Sequence, residues 1–296
     1  MSVLSRPNGT PERVWSLVGG LSALGGEADR DDFVALLNPG FVRAGQTVKA
    51  VATLASEGPG VATALGLVAR DGTRLSLSPG EAPGTQAEFL DAVHDVLCVA
   101  ETGDPNSVIF ETYAWLVAES HRQQDVGWLY NVGREAFADM ADAALVGEDE
   151  DGRLMNTTKV PAWRRWLRAL GLGVPMPDRA IDFPSPGRRL AIELAREGVV
   201  PGTVFAAEDF VRLVARRCPY LDRGRLFAQA CQRAGWSGSP RNLSAVLSCG
   251  LRDLELDGVV GLRLSGDAAD GLSLAADPAA LQPTFNSVVV LAPDAS

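Results

Sequence analysis

The sequence predicts a mainly α protein with small β-wings, built as tandem winged helix-turn-helix-like domains. Three observations carry this. Between residues 11 and 57 three amphipathic helical segments follow one another, and an Asp71-Gly72 hairpin signal comes next. Between 187 and 256 a second run of helices again precedes short β-prone stretches. Between them, RLMNTTKVPAWRRWLRALGLG at 153–173 encodes a helix with tryptophan on one side and arginine on the other.

The first module is expected over 1–80. Thr10, Pro11 and Glu12 form a helix start, and Val14, Trp15, Leu17, Val18 and Leu21 an apolar face that ends at Gly25-Gly26. A second helix is expected from about Asp29 to Leu37, closed by the turn Asn38-Pro39-Gly40. The third is expected over Gln46–Glu57, interrupted by Gly58-Pro59-Gly60. It offers only Lys49, Gln46 and Thr47 for nucleic-acid contact, a thin set for this copy. Leu75 and Leu77 then alternate with serines behind the Asp71-Gly72 turn, as a wing strand does.

A helical middle module is expected over 87–173. Phe89, Leu90, Val93 and Leu97 give one stripe, with His94 beside it as a core or boundary histidine. Phe110, Tyr113, Ala114 and Val117 give the next. The acidic run Glu148–Asp151 reads as a solvated loop. The 161–170 helix then occupies the recognition position of a possible second helix-turn-helix unit.

The third module is expected over 187–296, with helices near 187–198, 206–217, 225–234 and 243–256. Thr203 is a candidate cap. Val259–Leu264 reads as a strand that turns at Asp267–Gly271 back into Leu272–Ala275. FNSVVVLA at 285–292 is read as an added edge strand or a partner-pairing strand.

The formal charge of −10 conceals an asymmetry. Residues 81–152 carry two basic and sixteen acidic side chains, whereas 153–225 carry fourteen basic and seven acidic. Such neighbouring blocks imply pairing within the chain or faces for different partners. The overall acidity argues against indiscriminate DNA binding. Cys98, Cys218, Cys231 and Cys249 lack metal-ligand spacing, and no apolar run approaches the length of a membrane span. A cytoplasmic chain with reduced thiols, no metal, no cofactor and no membrane partner is expected. Phosphate-loop, HExxH, GxSxG and dinucleotide fingerprints are absent, and only two histidines are present.

The N-terminal helix-and-wing plan, the WRRWLRALGLG stretch and the C-terminal LSAVLSCGLRDLELDGVVGLRL resemble the DpdG family. That family is encoded with bacterial systems that place deazapurine bases in DNA and restrict DNA. The resemblance implies a non-catalytic accessory protein acting beside other defence-system subunits. It carries over no catalytic residue. From the residues themselves, Lys159, Arg164, Arg165 and Arg168 are the first candidates for double-stranded DNA phosphate contact, with Arg188, Arg189, Arg212, Arg216 and Arg217 behind them. The alternatives are a protein–protein scaffold, a dimeric winged-helix transcriptional regulator, and a metal-dependent nuclease assembled from scattered carboxylates.

Overall fold

The structure is a computed structural model. It describes residues 2–43, 45–48, 52–78, 82–145, 153–266, 271–277 and 283–292. Lys49, the Glu148–Asp151 run and residues 267–270 of the expected C-terminal turn lie outside the described residues. The protein is mainly helical with small sheets of two or three strands. It divides into two compact units: Met1–Ser107 with Thr158–Leu170, and Val108–Thr157 with Gly171–Ser296.

In the first unit, a 3-10 turn (Val3–Ser5) leads to α1 (Pro11–Ala23), which starts at Pro11 and buries Val14, Leu17, Val18 and Leu21. The chain leaves α1 through Gly25 and Gly26, both at positive φ, and enters β1 (Glu27–Asp29). Asp29 caps α2 (Arg30–Leu37) by accepting from the amides of Asp31 and Asp32. Those two donations hold its carboxyl below the usual range.

The third helix departs from expectation at both ends. Gln46–Val48 is β3, paired antiparallel with β2 (Phe41–Arg43) around Gly45. Gln46 and Thr47 therefore sit on a hairpin, not on a helix. α3 (Ala52–Ala64) runs straight through Gly58-Pro59-Gly60. Proline lacks the N–H of the helical ladder and crowds the preceding turn. Tertiary packing outweighs that cost: Val61 and Ala62 are buried, Gly58 lies against Leu17, and α3 packs on α1. Next, β4 (Val68–Asp71) and β5 (Arg74–Leu77) form the expected hairpin, with Gly72 at positive φ. β1 adds to β5, giving the sheet order β1-β5-β4.

α4 (Gln86–Val99) opens with a reciprocal cap, in which Thr85 accepts from the Glu88 amide and the Glu88 carboxylate accepts from the Gly84 amide. Phe89, Val93 and Leu97 are buried, and His94 is a fully buried core residue beside them. The chain then passes through α5 (Val108–Gln123) and α6 (Arg134–Leu145) of the second unit. It returns to the first as α7 (Lys159–Ala169), which packs on the Val3–Ser5 turn and on α1.

The second unit is centred on α5. A single stripe was expected, but every residue from Val108 to Ala118 is buried, because α6, α10 (Arg225–Arg233) and α11 (Ala245–Leu256) all pack on α5. A helix buried all round reads in sequence as several overlapping stripes. Between α6 and α10 come β6 (Gly173–Val174), β7 (Phe183–Pro184), α8 (Gly187–Arg196), β8 (Val204–Ala206) and α9 (Ala207–Arg217). Thr203 does not cap α9; its hydroxyl donates to the Val200 carbonyl.

The C-terminal strands correct the expected wing. β9 (Val260–Arg263) does not fold back onto Leu272–Ala275. Its partner is β12 (Ser287–Val290), which also pairs with β8, so the FNSVVVLA strand is the middle of the sheet β8-β12-β9 and not its edge. Val288 and Val290 point inward and are buried. β10 (Leu272–Ser273) pairs instead with β11 (Thr284–Phe285) in a small excursion between β9 and β12. The two three-stranded sheets share one plan. The strand before the second helix lies at an edge, and the last strand takes the middle.

Candidate nucleic-acid interface

α7 separates its two chemistries as the sequence predicts. Val160, Trp163, Trp166, Leu167 and Leu170 are buried, while Arg165 and Arg168 are exposed and Lys159 and Arg164 are half-buried. Arginines spaced at 164, 165 and 168 leave the apolar face intact.

The secondary set lies in the second unit and is largely engaged in ion pairs. Glu193 on α8, 3% exposed, accepts from Arg189 Nη2 at 2.6 Å, Arg217 Nε at 2.7 Å and Arg196 Nη1 at 2.8 Å. Arg189 is only 1% exposed, so the expectation that it meets a phosphate is corrected: it is an interior counter-ion of Glu193. Arg217 also reaches Glu197 at 3.3 Å, and Arg212 pairs with Asp209 one turn earlier on α9. Arg188 and Arg216 remain exposed. Cys218 follows α9 beneath this cluster. Burial pushes its thiol up to about 12.

The helices that directly precede β4 and β9, α3 and α11, present little positive charge. Among its described side chains α3 carries no lysine or arginine. α11 buries Val246, Leu247, Ser248, Gly250, Leu251 and Leu254 against α8 and α5. Its one arginine, Arg252, is held by the Ala275 carbonyl at 2.7 Å and by Asp277 at 3.8 Å. The exposed end of α11 is Glu255, Leu256 and Asp257.

Part of the acidic block finds its cations inside the chain. Asp139 and Asp142 on α6 grip Arg153, the first residue of the basic block, and hold its guanidinium above the ordinary range. Buried Glu111 on α5 meets Arg233 of α10 at 3.3 Å. Sequence spacing does not reveal the Glu193 cluster as a whole, because its members come from both α8 and α9. Only the Arg189–Glu193 and Glu193–Arg196 spacings, one helical turn each, signal part of it.

Among the described residues no three His, Cys, Asp or Glu side chains are grouped to hold a metal ion. Among the described residues no helix is long and apolar enough to cross a membrane. No curated protein and no solved structure matches the chain. A family model described as DpdG-like matches residues 1–268. That match spans most of the 296 residues and the three segments in which the resemblance was read, and on this ground the chain belongs to the DpdG-like family.

Proposed function

We propose that this protein is a non-catalytic accessory or adaptor of a DNA-modification or anti-phage restriction system. In this reading it touches double-stranded DNA through phosphates and holds partner subunits. Membership of the DpdG-like family supports the setting. Both three-stranded sheets, with their preceding helices, are read as winged helix-turn-helix-like domains, within 1–80 and 187–296, and 87–173 as the helical segment between them.

The observation that carries the adaptor reading over a sequence-reading regulator is the chemistry of α3 and α11. A recognition helix needs cations and amides aimed at base edges. The described part of α3 lacks cations, and α11 is buried on two sides with an acidic exposed end. Exposed guanidinium groups lie instead on α7, at Arg165 and Arg168, with Lys159 and Arg164 beside them. Their role is positioning by phosphate contact. Arg188 and Arg216 are the secondary candidates in the other unit.

Affinity for duplex DNA across a salt series tests this, with wild type and a Lys159→Ala/Arg164→Ala/Arg165→Ala/Arg168→Ala variant of verified fold. The expected result is steep salt dependence in wild type and a slope shallower by up to about 3–4 in the variant. No binding at low salt rejects the DNA contact. That result would favour the second reading, a scaffold without DNA. The observation behind it is the edge strand β8, where Val204 is 62% exposed and Val200 beside it 67% exposed.

A further inference from the structure

The first unit contains a cleft of about 460 Å³ whose walls include Arg6, Arg30, Arg70, Thr63, Asp104 and Asn106. The three arginines come from the chain just after the Val3–Ser5 turn, from the first residue of α2, and from β4 of the wing. From these, we propose that the cleft is a phosphate-binding site. It is distinct from α7 and does not depend on the α7 contact proposed above.

The site is built, not an accident of mobile surface side chains. Arg6 lies directly across α3, donating from Nη1 to the Ser56 carbonyl at 2.9 Å. It reaches this seat only because residue 60 is glycine: a Cβ there would fall 1.1 Å from Arg6 Nη1 and 2.0 Å from Cζ. The Gly-Pro-Gly sequence inside α3, costly for a helix, therefore opens the floor on which a guanidinium lies. Arg30 is fixed at its backbone, where its amide donates to Thr73 in the wing turn at 2.6 Å. Arg70 projects from the exposed side of β4, with Nε donating to the Gly72 carbonyl at 3.3 Å. Asn106 closes the opposite wall, accepting from the Val3 amide at 3.0 Å and donating to the Ala64 carbonyl at 2.8 Å.

Charge decides the ligand class. Three guanidinium groups line the cleft beside one lining carboxylate, Asp104, which accepts from the Asn106 amide at 2.7 Å, while Asp31, outside the lining, meets Arg30 at 3.3 Å. An excess of like charge among the residues that line one cavity favours an anion there. Planar, multi-donor guanidinium groups match the oxygens of phosphate in particular. The phosphate can belong to a nucleic-acid strand or to a free phosphate or nucleotide. The cleft's position between α3 and the wing suits a strand, and its volume admits a nucleotide.

The test uses the full chain as wild type, Arg30→Ala/Arg70→Ala, Gly60→Ala and Arg165→Ala/Arg168→Ala, each checked for fold by circular dichroism. Duplex DNA is titrated by fluorescence anisotropy over a salt series, and inorganic phosphate and dAMP by calorimetry. A strand in the cleft predicts weaker DNA binding by Arg30→Ala/Arg70→Ala, with the salt slope reduced by about 2. Gly60→Ala, which unseats Arg6 while keeping every charge, weakens binding in the same direction. If DNA affinity is unchanged but phosphate or dAMP binding disappears in these variants, the site stands and its phosphate is the free one. Unchanged affinity for all three probes overturns the site. Loss only in the Arg165→Ala/Arg168→Ala variant overturns it too, while upholding the α7 contact. Absence of any binding by wild type overturns both.

Discussion

Glu193→Gln tests the electrostatic centre of the second unit. The substitution keeps the shape of the side chain and removes the one negative charge shared by Arg189, Arg196 and Arg217, at 2.6, 2.8 and 2.7 Å. Arg189 is 1% exposed and Glu193 3%, so water does not replace the lost carboxylate there. Breaking a buried pair from one side typically costs about 3–5 kcal/mol. The low end applies, because the side chains of Arg196 and Arg217 stay 26% and 31% exposed and glutamine retains one acceptor oxygen. We expect a loss of about 3 kcal/mol, which for a unit of this size lowers the thermal midpoint by about 6–12 °C. Urea unfolding followed by circular dichroism measures it. Glu197→Gln is the control: that carboxylate is 29% exposed and meets Arg217 at 3.3 Å, so its loss stays below about 1 kcal/mol. Replacing the pair together, Arg189→Met/Glu193→Leu, removes both charges and costs less than Glu193→Gln. Equal effects of Glu193→Gln and Glu197→Gln would refute the reasoning.

Two further outcomes follow from packing and burial. Gly19 and Gly250 both sit inside helices, yet alanine there has opposite effects. At Gly19 a Cβ meets nothing nearer than Trp15 at 3.7 Å, so Gly19→Ala stabilises by up to about 1 kcal/mol. At Gly250 it would fall 2.7 Å from Pro186 Cγ and 3.2 Å from Leu190 Cδ1, and overpacking of about 1–3 kcal/mol makes Gly250→Ala destabilising in urea titrations. Burial raises the thiol of Cys218 to about 12 and those of Cys231 and Cys249 to about 11. The unfolded thiols ionise first, so their contribution to stability is complete below about pH 8.5 and is lost as pH rises toward the folded values. Alkylation at pH 8 therefore leaves Cys218 intact in the native protein and modifies it in urea; equal rates in the two states would contradict its burial.

Much of the local structure was legible because it depends on neighbours in sequence. Pro11 and Thr10 mark the start of α1, Asp71-Gly72 the hairpin, and the Trp163–Trp166–Leu167–Leu170 spacing the buried face of α7. What was not legible depends on distant packing. Pro59 argued for an interruption that α1 overrides by burying Val61 and Ala62. The SVVV strand carries no sign of its partners, which lie at 204–206 and 260–263. The same limit governed the sites. Arg164, Arg165 and Arg168 were visible as a cluster on one helix. Arg6, Arg30 and Arg70 share a cleft that no local pattern joins. Arg189 looked like a surface cation at a helix start until Glu193, Arg196 and Arg217 enclosed it.

The central place of β12 has a consequence for synthesis. Strands β8 and β9 leave the ribosome first, and the strand that joins them begins 24 residues after β9 ends, at Ser287. At about 5–20 residues per second, β9 waits roughly one to five seconds for its partner, and β8, which ends 81 residues before β12 begins, waits several times longer. Until then two short strands present open hydrogen-bonding edges, with Val204 on the first and Val260 and Leu262 on the second. The nascent second unit is thus most prone to mispairing late in translation, when a neighbouring chain on the same message can offer the SVVV strand first and exchange it between copies.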